Sequence, residues 1–480
     1  MIISVPDIVK SVYTTSMNMK KFLLATSLAL AASLTPQAKD LHDLQQEFVD
    51  LKCGLFVHFG MGTFQEEDWA DPDDSPLNFN PQKLDCNQWA DAAQQAGMSF
   101  GCISVKHHCG FCMWDTETTP YSVMNSGIKR DVLREFVDAL RARDMKVMYH
   151  FSILDLHEKI LPRHIKPEDT DLIKAQLREL LTNYGPITAL MIDGWDAPWA
   201  RISYDDISFE DIYKFVKSIQ PDCLVMDLNG AKYPADALFY SDIKAYEQGA
   251  GQRIDSSTAW LPSMACDKIQ PTWFWKTRFP GLELNKAEDI VNNDILPKNS
   301  AGCTFILNVA PNRDGLFDEN ALQRLAEIGK IWKNDRRGVE IEQAPAPIIA
   351  TNLAKNRHAT GSWSWDAMIH DFANDDDFSS CWYSNESVES PWWTVELGDP
   401  TSFNTVAITD NRDLTLSSYA IDYRDTEGNW NEIFSGDSPT NKQVKVHTFS
   451  SVTGDALRVR VLSSSGPVAI AEVGVYNQSL

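Results

Sequence analysis

Positive charge is scarce in this chain: 43 Lys and Arg stand against 67 Asp and Glu, a formal net charge of -24 over 480 residues. Such a field repels phosphates, which excludes nucleic acid and an anionic membrane surface as partners. A membrane span is also missing. The N-terminal apolar run FLLATSLALAASL (Phe22–Leu34) has about thirteen residues, where a spanning helix needs about twenty. No second Cys pair accompanies Cys109-Gly-Phe-Cys112, so this spacing completes no zinc or dithiol framework, although it follows His107 and His108. Cys53, Cys86, Cys102, Cys109, Cys112, Cys223, Cys266, Cys303 and Cys381 make an odd set of nine, and the length excludes a small disulfide scaffold. Several sit in apolar runs, where a free thiol behaves as a small hydrophobe.

What is present points to a large globular chain. With 43% hydrophobic residues over 480 positions, one core is too few and two domains are expected. Fifteen Trp and thirteen Tyr serve cores first, though the C–H face of a pyranose also packs on such rings. Lys20 and Lys21 precede the Phe22–Leu34 run, and small residues follow it. This is the pattern of a secretory signal peptide, placed over residues 1–38, with Met17 or Met19 a better start than Met1. Export to the periplasm or the outside is the expectation.

From residue 39 to 335, apolar runs alternate with helix-period segments. The expected strands are GLFVHFG (54–60), FGCISVKHH (100–108), KVMYHFSI (146–153), ALMIDGW (189–195), CLVMDLN (223–229), ALFYSD (237–242), TWFW (272–275) and TFILNV (304–309). Eight such runs with helices between them predict an α/β fold, a parallel sheet closed into a (β/α)8-like (TIM) barrel. The gap between residues 229 and 237 is too short for a helix, so the ring is partly degenerate there. Residues 336–350, with Pro345 and Pro347, read as a linker. Beyond it, residues 351–480 break into short alternating segments separated by turn residues, which predicts an antiparallel β-sandwich.

At or near the barrel strand ends stand His58, His107 and His108, His150 and Ser152, Asp193, Asp227 and Asn229, Asp242, Trp273 and Asn308. A barrel of this kind keeps its active site at that face. Any one of these alone reads as a satisfied core group; so many together read as a site. Glycoside hydrolysis needs two carboxyl groups. Asp193, followed by a Gly that permits a sharp turn and close substrate approach, is the candidate nucleophile, and Asp196 reads as a substrate subsite or support.

The segments LKCGLFVHFGMGTF, VKHHCGFCMW, SILDLH, AQLRELLTNYG leading to LMIDG, and FILNVAPNRDG occur in this order. Across the barrel region they resemble the motifs of the α-L-fucosidases of glycoside hydrolase family 29. The resemblance implies a retaining mechanism with Asp193 as nucleophile, and no catalytic cofactor. It also implies sugar contacts from His58, His107, His108, Trp69 and Asp155, with Trp273 against the fucose methyl group. SDIKAYEQGAG resembles a stretch of one subgroup that puts Glu247 in the acid/base role, with Asp267 and Glu283 as fallback donors. The implied partner is a fucosylated oligosaccharide or glycoconjugate.

Some positions depart from the family pattern: Met191-Ile192 replaces Trp-Phe, Leu154 replaces Trp, Cys109 replaces Asp, and Asp68 replaces a longer Glu. A retaining exo-glycosidase of other sugar specificity, and a catalytically silent glycan-binding protein, therefore stand as alternatives. The C-terminal segments NDDDFSSCW, SPWWTVELG and IAEVGVY resemble discoidin or factor 5/8 C-type sandwiches, including family 32 carbohydrate-binding modules. That resemblance implies a structural Ca²⁺ on the hard oxygens of Asp375, Asp377 and Glu472.

Overall fold

The apolar run at each expected strand position is bounded by polar turns, and in six of eight cases it pairs where expected. The computed structural model describes residues 38–196, 201–248, 252, 254, 261–334, 337–411, 415–439 and 442–479. The expected signal peptide lies outside these residues, apart from Ala38. The parallel strands are Cys53–Val57 (β1), Phe100–Lys106 (β2), Lys146–Ser152 (β3), Ala189–Asp193 (β4), Leu224–Asp227 (β5), Lys244–Glu247 (β6), Ser263–Lys268 (β7) and Cys303–Asn308 (β8). Their order, β5-β4-β3-β2-β1-β8-β7-β6, is that of a nearly closed barrel. Its interior is filled by Phe56, Cys102, Met148, Met191, Met226, Met264, Cys266 and Ile306, with Leu44 and Phe48 of the helix Leu41–Asp50.

Helices follow the strands as the sequence dictates. In Val132–Arg141, the Asp131 carboxylate caps the Arg134 amide at 2.9 Å, and Val132, Leu133, Phe136, Val137 and Leu140 are buried on one face. Ser208 caps Phe209–Ile219 in the same way. After β5 only the turn Gly230–Lys232 forms, as the short gap requires. No ladder joins β5 to β6; a single antiparallel bridge, Met226 to Ser241, stands there. Asp242 spans the gap instead, its amide on the Val225 carbonyl at 2.8 Å and its carboxylate on the Val225 amide at 3.0 Å.

Two expected strands are corrected. ALFYSD is not β6: its Tyr240 amide and Leu238 carbonyl bond Ile348 of the linker. TWFW is not β7: Trp275 is buried in a loop, its indole donating to Asp318 at 2.6 Å. Asp242, placed among the mouth residues by that reading, is a seam residue paired with Lys217 at 2.8 Å.

The second core belongs to the sandwich. Its strands are Ala359–Gly361 (β9), Trp382–Tyr383 (β10), Trp392–Asp410 (β11), Leu416–Arg424 (β12), Trp430–Asp437 (β13), Val444–Ser464 (β14) and Ala469–Tyr476 (β15). All pair antiparallel in the order β10-β15-β11-β14-β12-β13, with β9 on β11. Register shifts split β11 after Glu396 and Phe403, which lets one long strand serve both layers. Trp382, Trp393, Phe403, Tyr419 and Ile470 fill the space between them. The nine cysteines are buried free thiols. Among the described residues no helix is long and apolar enough to cross a membrane.

Candidate active site

Asp193 ends β4 and is buried, 4% exposed. Its Oδ1 accepts the Asn229 side-chain amide at 3.0 Å, while Oδ2 faces His150 Nε2 at 3.3 Å and His108 Nε2 at 3.5 Å. Burial alone would raise this carboxyl, but His108, His150 and Asn229 outweigh it and hold it well below the usual carboxylate range. Gly194 follows with φ 111°; a Cβ there would lie 2.8 Å from the Leu154 nitrogen, so only Gly makes this turn without displacing the neighbouring strand end.

The imidazoles are themselves fixed. His150 Nδ1 meets the Ser104 hydroxyl at 2.9 Å. The Ser152 hydroxyl donates to the Leu154 carbonyl at 2.7 Å, so it accepts from His108 Nδ1–H at 2.8 Å. Asn308 donates its amide to the Trp273 carbonyl at 2.9 Å, which leaves its Oδ1 to accept from His58 Nδ1–H at 2.8 Å. His58 Nε2 is then a lone-pair acceptor. Burial first, and the neighbouring imidazoles next, push His58 and His107 well below the ordinary histidine range.

Glu247 ends β6 with 6% exposure, not in a solvated loop. Burial, then the charge of Asp193, push its carboxyl up to about 8, against a smaller opposing pull from Lys268 and the hydrogen-bonded Trp273 indole. Glu247 Oε2 has no protein partner. Trp273 lies 5.0 Å from the His58 ring, with Lys268 Nζ 4.5 Å over its face. Trp69, 44% exposed, packs on His108 at 4.6 Å.

Two sequence readings of the site change and one narrows. Asp155 is wholly buried, and its carboxylate is taken by Lys106 at 3.0 Å and the Glu158 amide at 2.9 Å, so it braces a loop and does not meet a sugar. Asp196 pairs with Lys232, which also reaches Asp376 of the sandwich, so of its two readings, subsite or support, the geometry favours support. Met191 belongs to the barrel interior and Ile192 to the outer core, so the departure before Asp193 is one of packing. Glu283 is exposed, and Asp267 Oδ1 accepts the Lys268 amide at 2.7 Å.

The expected calcium ligands do not form a cage. Asp377 Oδ1 accepts from the Ser379 amide at 2.9 Å, Asp375 accepts from Ser380, and Glu472 accepts from Asn352 and the Asp376 amide, both at 3.1 Å. Among the described residues no three His, Cys, Asp or Glu side chains are arranged to hold a metal ion. The sequence named His150, Asn229 and Asn308 only as strand-end polar groups and missed Ser104 and Lys268. Their partners come from neighbouring strands, where no local signal exists.

Two buried carboxyls in opposite surroundings, at the mouth of a (β/α)8 barrel, are the equipment of a glycoside hydrolase. Comparison with known proteins narrows the class. The α-L-fucosidase family model matches residues 72–336, and a NedA-like, galactose-binding domain model matches residues 372–459. The chain belongs to the α-L-fucosidase family. It is 25% identical over 448 residues to α-L-fucosidase 1 of Arabidopsis thaliana, covering 88% of this chain and 84% of that one. In fold it is similar to a putative α-L-fucosidase from Bacteroides thetaiotaomicron, with TM-score 0.51, 22% identity, and coverage of 91% and 97%. It is also similar to a Ruminococcus gnavus fucosidase solved in complex with fucose, with TM-score 0.50, 21% identity, and coverage of 92% and 96%.

Proposed function

We propose that this protein is an exported, retaining exo-α-L-fucosidase that releases terminal α-L-fucosyl residues from glycans. The observation that carries this reading is a pair of buried carboxyls at the ends of β4 and β6 in opposite surroundings. Asp193 is met by Asn229, His150 and His108, which favour its ionised form; Glu247 has one oxygen unpartnered and the Asp193 charge nearby, which favour its protonated form. Asp193 attacks the anomeric carbon while Glu247 gives its proton to the departing glycosidic oxygen; the C–O bond breaks and a glycosyl ester forms. Glu247, now a carboxylate, takes a proton from water as the water oxygen attacks the same carbon and the ester C–O bond to Asp193 breaks. Fucose leaves, and both carboxyls return to their starting states.

The site's other groups suit this sugar. His58 Nε2 can accept a hydroxyl proton, and the indole faces of Trp273 and Trp69 offer apolar surface for the sugar's C–H and methyl groups. The names of the relatives favour fucose. Export rests on Lys20, Lys21 and the apolar run that follows.

Hydrolysis of an aryl α-L-fucoside, followed by proton NMR, tests this reading. Wild type should give α-fucose as first product, and Asp193→Ala should lose nearly all activity. Equal, slow release by both proteins, with glycan binding kept, would leave a lectin and not an enzyme.

A further inference from the structure

Most of the barrel wall is backed by its own helices, but the β5–β6 side has only the turn Gly230–Lys232, and the sandwich and linker stand against it. Phe378 of the sandwich packs on Tyr233 at 5.3 Å and Phe239 at 5.9 Å. Two chains of contacts run inward from this junction. In the first, Lys232 pairs with Asp196 and, at 3.2 Å, with Asp376 of the sandwich. Asp376 is itself held by Lys355 at 3.3 Å and by Glu472 through its amide at 3.1 Å. Asp196 lies three residues after Asp193, and Lys232 lies three after Asn229, the residue that donates to Asp193. One ammonium thus ties together both loops that carry the nucleophile and its partner.

In the second chain, Ile348 of the linker bonds the Tyr240 amide at 2.8 Å, and Tyr240 stacks on Tyr204 at 3.9 Å. The Tyr204 hydroxyl donates to Asp227 at 2.5 Å, and Asp227 accepts the Asn229 amide at 2.9 Å. Asp196 and Asp376 both sit at positive φ, 42° and 64°. Non-glycine residues hold such conformations only where their surroundings fix them. Lys232, 31% exposed between carboxylates at 28% and 14%, pairs with both of these residues.

We propose that Lys232, locked by Asp376, is a positioning residue for Asp193. The sandwich then serves as the missing wall of the active site, in place of the absent β5–β6 helix. Chemical steps are sensitive to sub-ångström placement of the attacking group, so loosening this tie should slow turnover more than it weakens binding.

The test uses the full chain with Lys232→Met, Lys232→Arg and Asp376→Asn; Asn keeps the positive φ at 376. Aryl α-L-fucoside kinetics give kcat and KM, and amide hydrogen exchange is followed in peptides covering 189–196 and 224–233. Lys232→Met and Asp376→Asn should each lower kcat about tenfold with KM changed by no more than about twofold, and Lys232→Arg should restore it. Exchange should rise in those two peptides and stay unchanged over β1 and β2. Unchanged exchange and kcat in Asp376→Asn would overturn the proposal, as would a rise spread evenly over the barrel. The kinetic readout rests on the fucosidase reading; if wild type releases no fucose, that reading fails alone and hydrogen exchange still decides this one.

Discussion

The β4–β5 arc and the β6–β7 arc of the barrel mouth each present one carboxyl group, buried to nearly the same degree, in opposite surroundings. Asp193 meets an amide and two imidazoles at 3.0, 3.3 and 3.5 Å. Glu247 keeps one oxygen without a protein partner and faces the negative charge of Asp193. Burial pushes both carboxyls up; His108, His150 and Asn229 outweigh it in the first arc, while Lys268 and the Trp273 indole do not in the second. The difference teaches that burial does not set a role; the donors brought to a carboxyl do.

Breaking the first arc should have the largest effect. Asp193→Ala should cost on the order of 10⁴-fold or more in kcat, measured on an aryl α-L-fucoside. Breaking the second arc comes next: Glu247→Gln should lower kcat/KM about 10²–10⁴-fold on glycans with poor leaving groups, and less on aryl substrates. Its sign with pH follows from a raised acid. The active form is protonated, so activity should fall as pH rises through about 8, and that limb should vanish in Glu247→Gln. A raised carboxyl also makes the folded state bind more protons than the unfolded one above the unfolded value. Glu247→Gln should therefore raise the midpoint of thermal unfolding at pH 9 but not at pH 4.

Removing one donor sharpens the comparison. Asn229→Ala takes a single hydrogen bond from the Asp193 carboxylate, worth about 1.5–3 kcal/mol for a charged acceptor. It should shift the acidic limb of kcat/KM upward. The smallest effect on chemistry is expected at Asp155. Its pair with Lys106 is wholly buried and neither carboxylate oxygen lacks a protein partner, so Asp155→Asn should change KM by no more than about twofold. It should nonetheless lower unfolding stability by about 3 kcal/mol, as breaking a buried pair does, measured by urea denaturation.

The contrast between the arcs also explains what could be read from the chain. On the β1–β5 side and at β8, strands are long apolar runs with a polar residue at the end, and their positions and mouth residues are legible. On the other side the strands carry Lys244, Ser263 and Asp267, so their apolar signal is weak. The aromatic runs nearby, ALFYSD and TWFW, took their place because hydrophobicity does not say what a residue is buried against. Phe239 and Tyr240 are covered by the sandwich and Tyr204, and Trp275 by a loop. Glu247 was found through a resemblance in its segment, not through periodicity. Asp155 was not legible as a brace, nor Asp196 as support over subsite, for the same reason in reverse: a carboxylate in a motif does not disclose that Lys106 or Lys232 will claim it. Met191 and Ile192 point to opposite sides of the sheet, a period-two fact that separates the barrel interior from the outer core.

The most direct measurement is an infrared pH titration of protonated carboxyl groups in wild type, Glu247→Gln and Asp193→Asn. Glu247→Gln should remove a carboxyl band that titrates near pH 8 and leave a second near 7 from Asp227, while Asp193→Asn should keep both bands and move them to lower pH, because it removes the charge that raises both. A band near 8 that survives in Glu247→Gln, or that stays at the same pH in Asp193→Asn, would contradict the assignment of the two carboxyls.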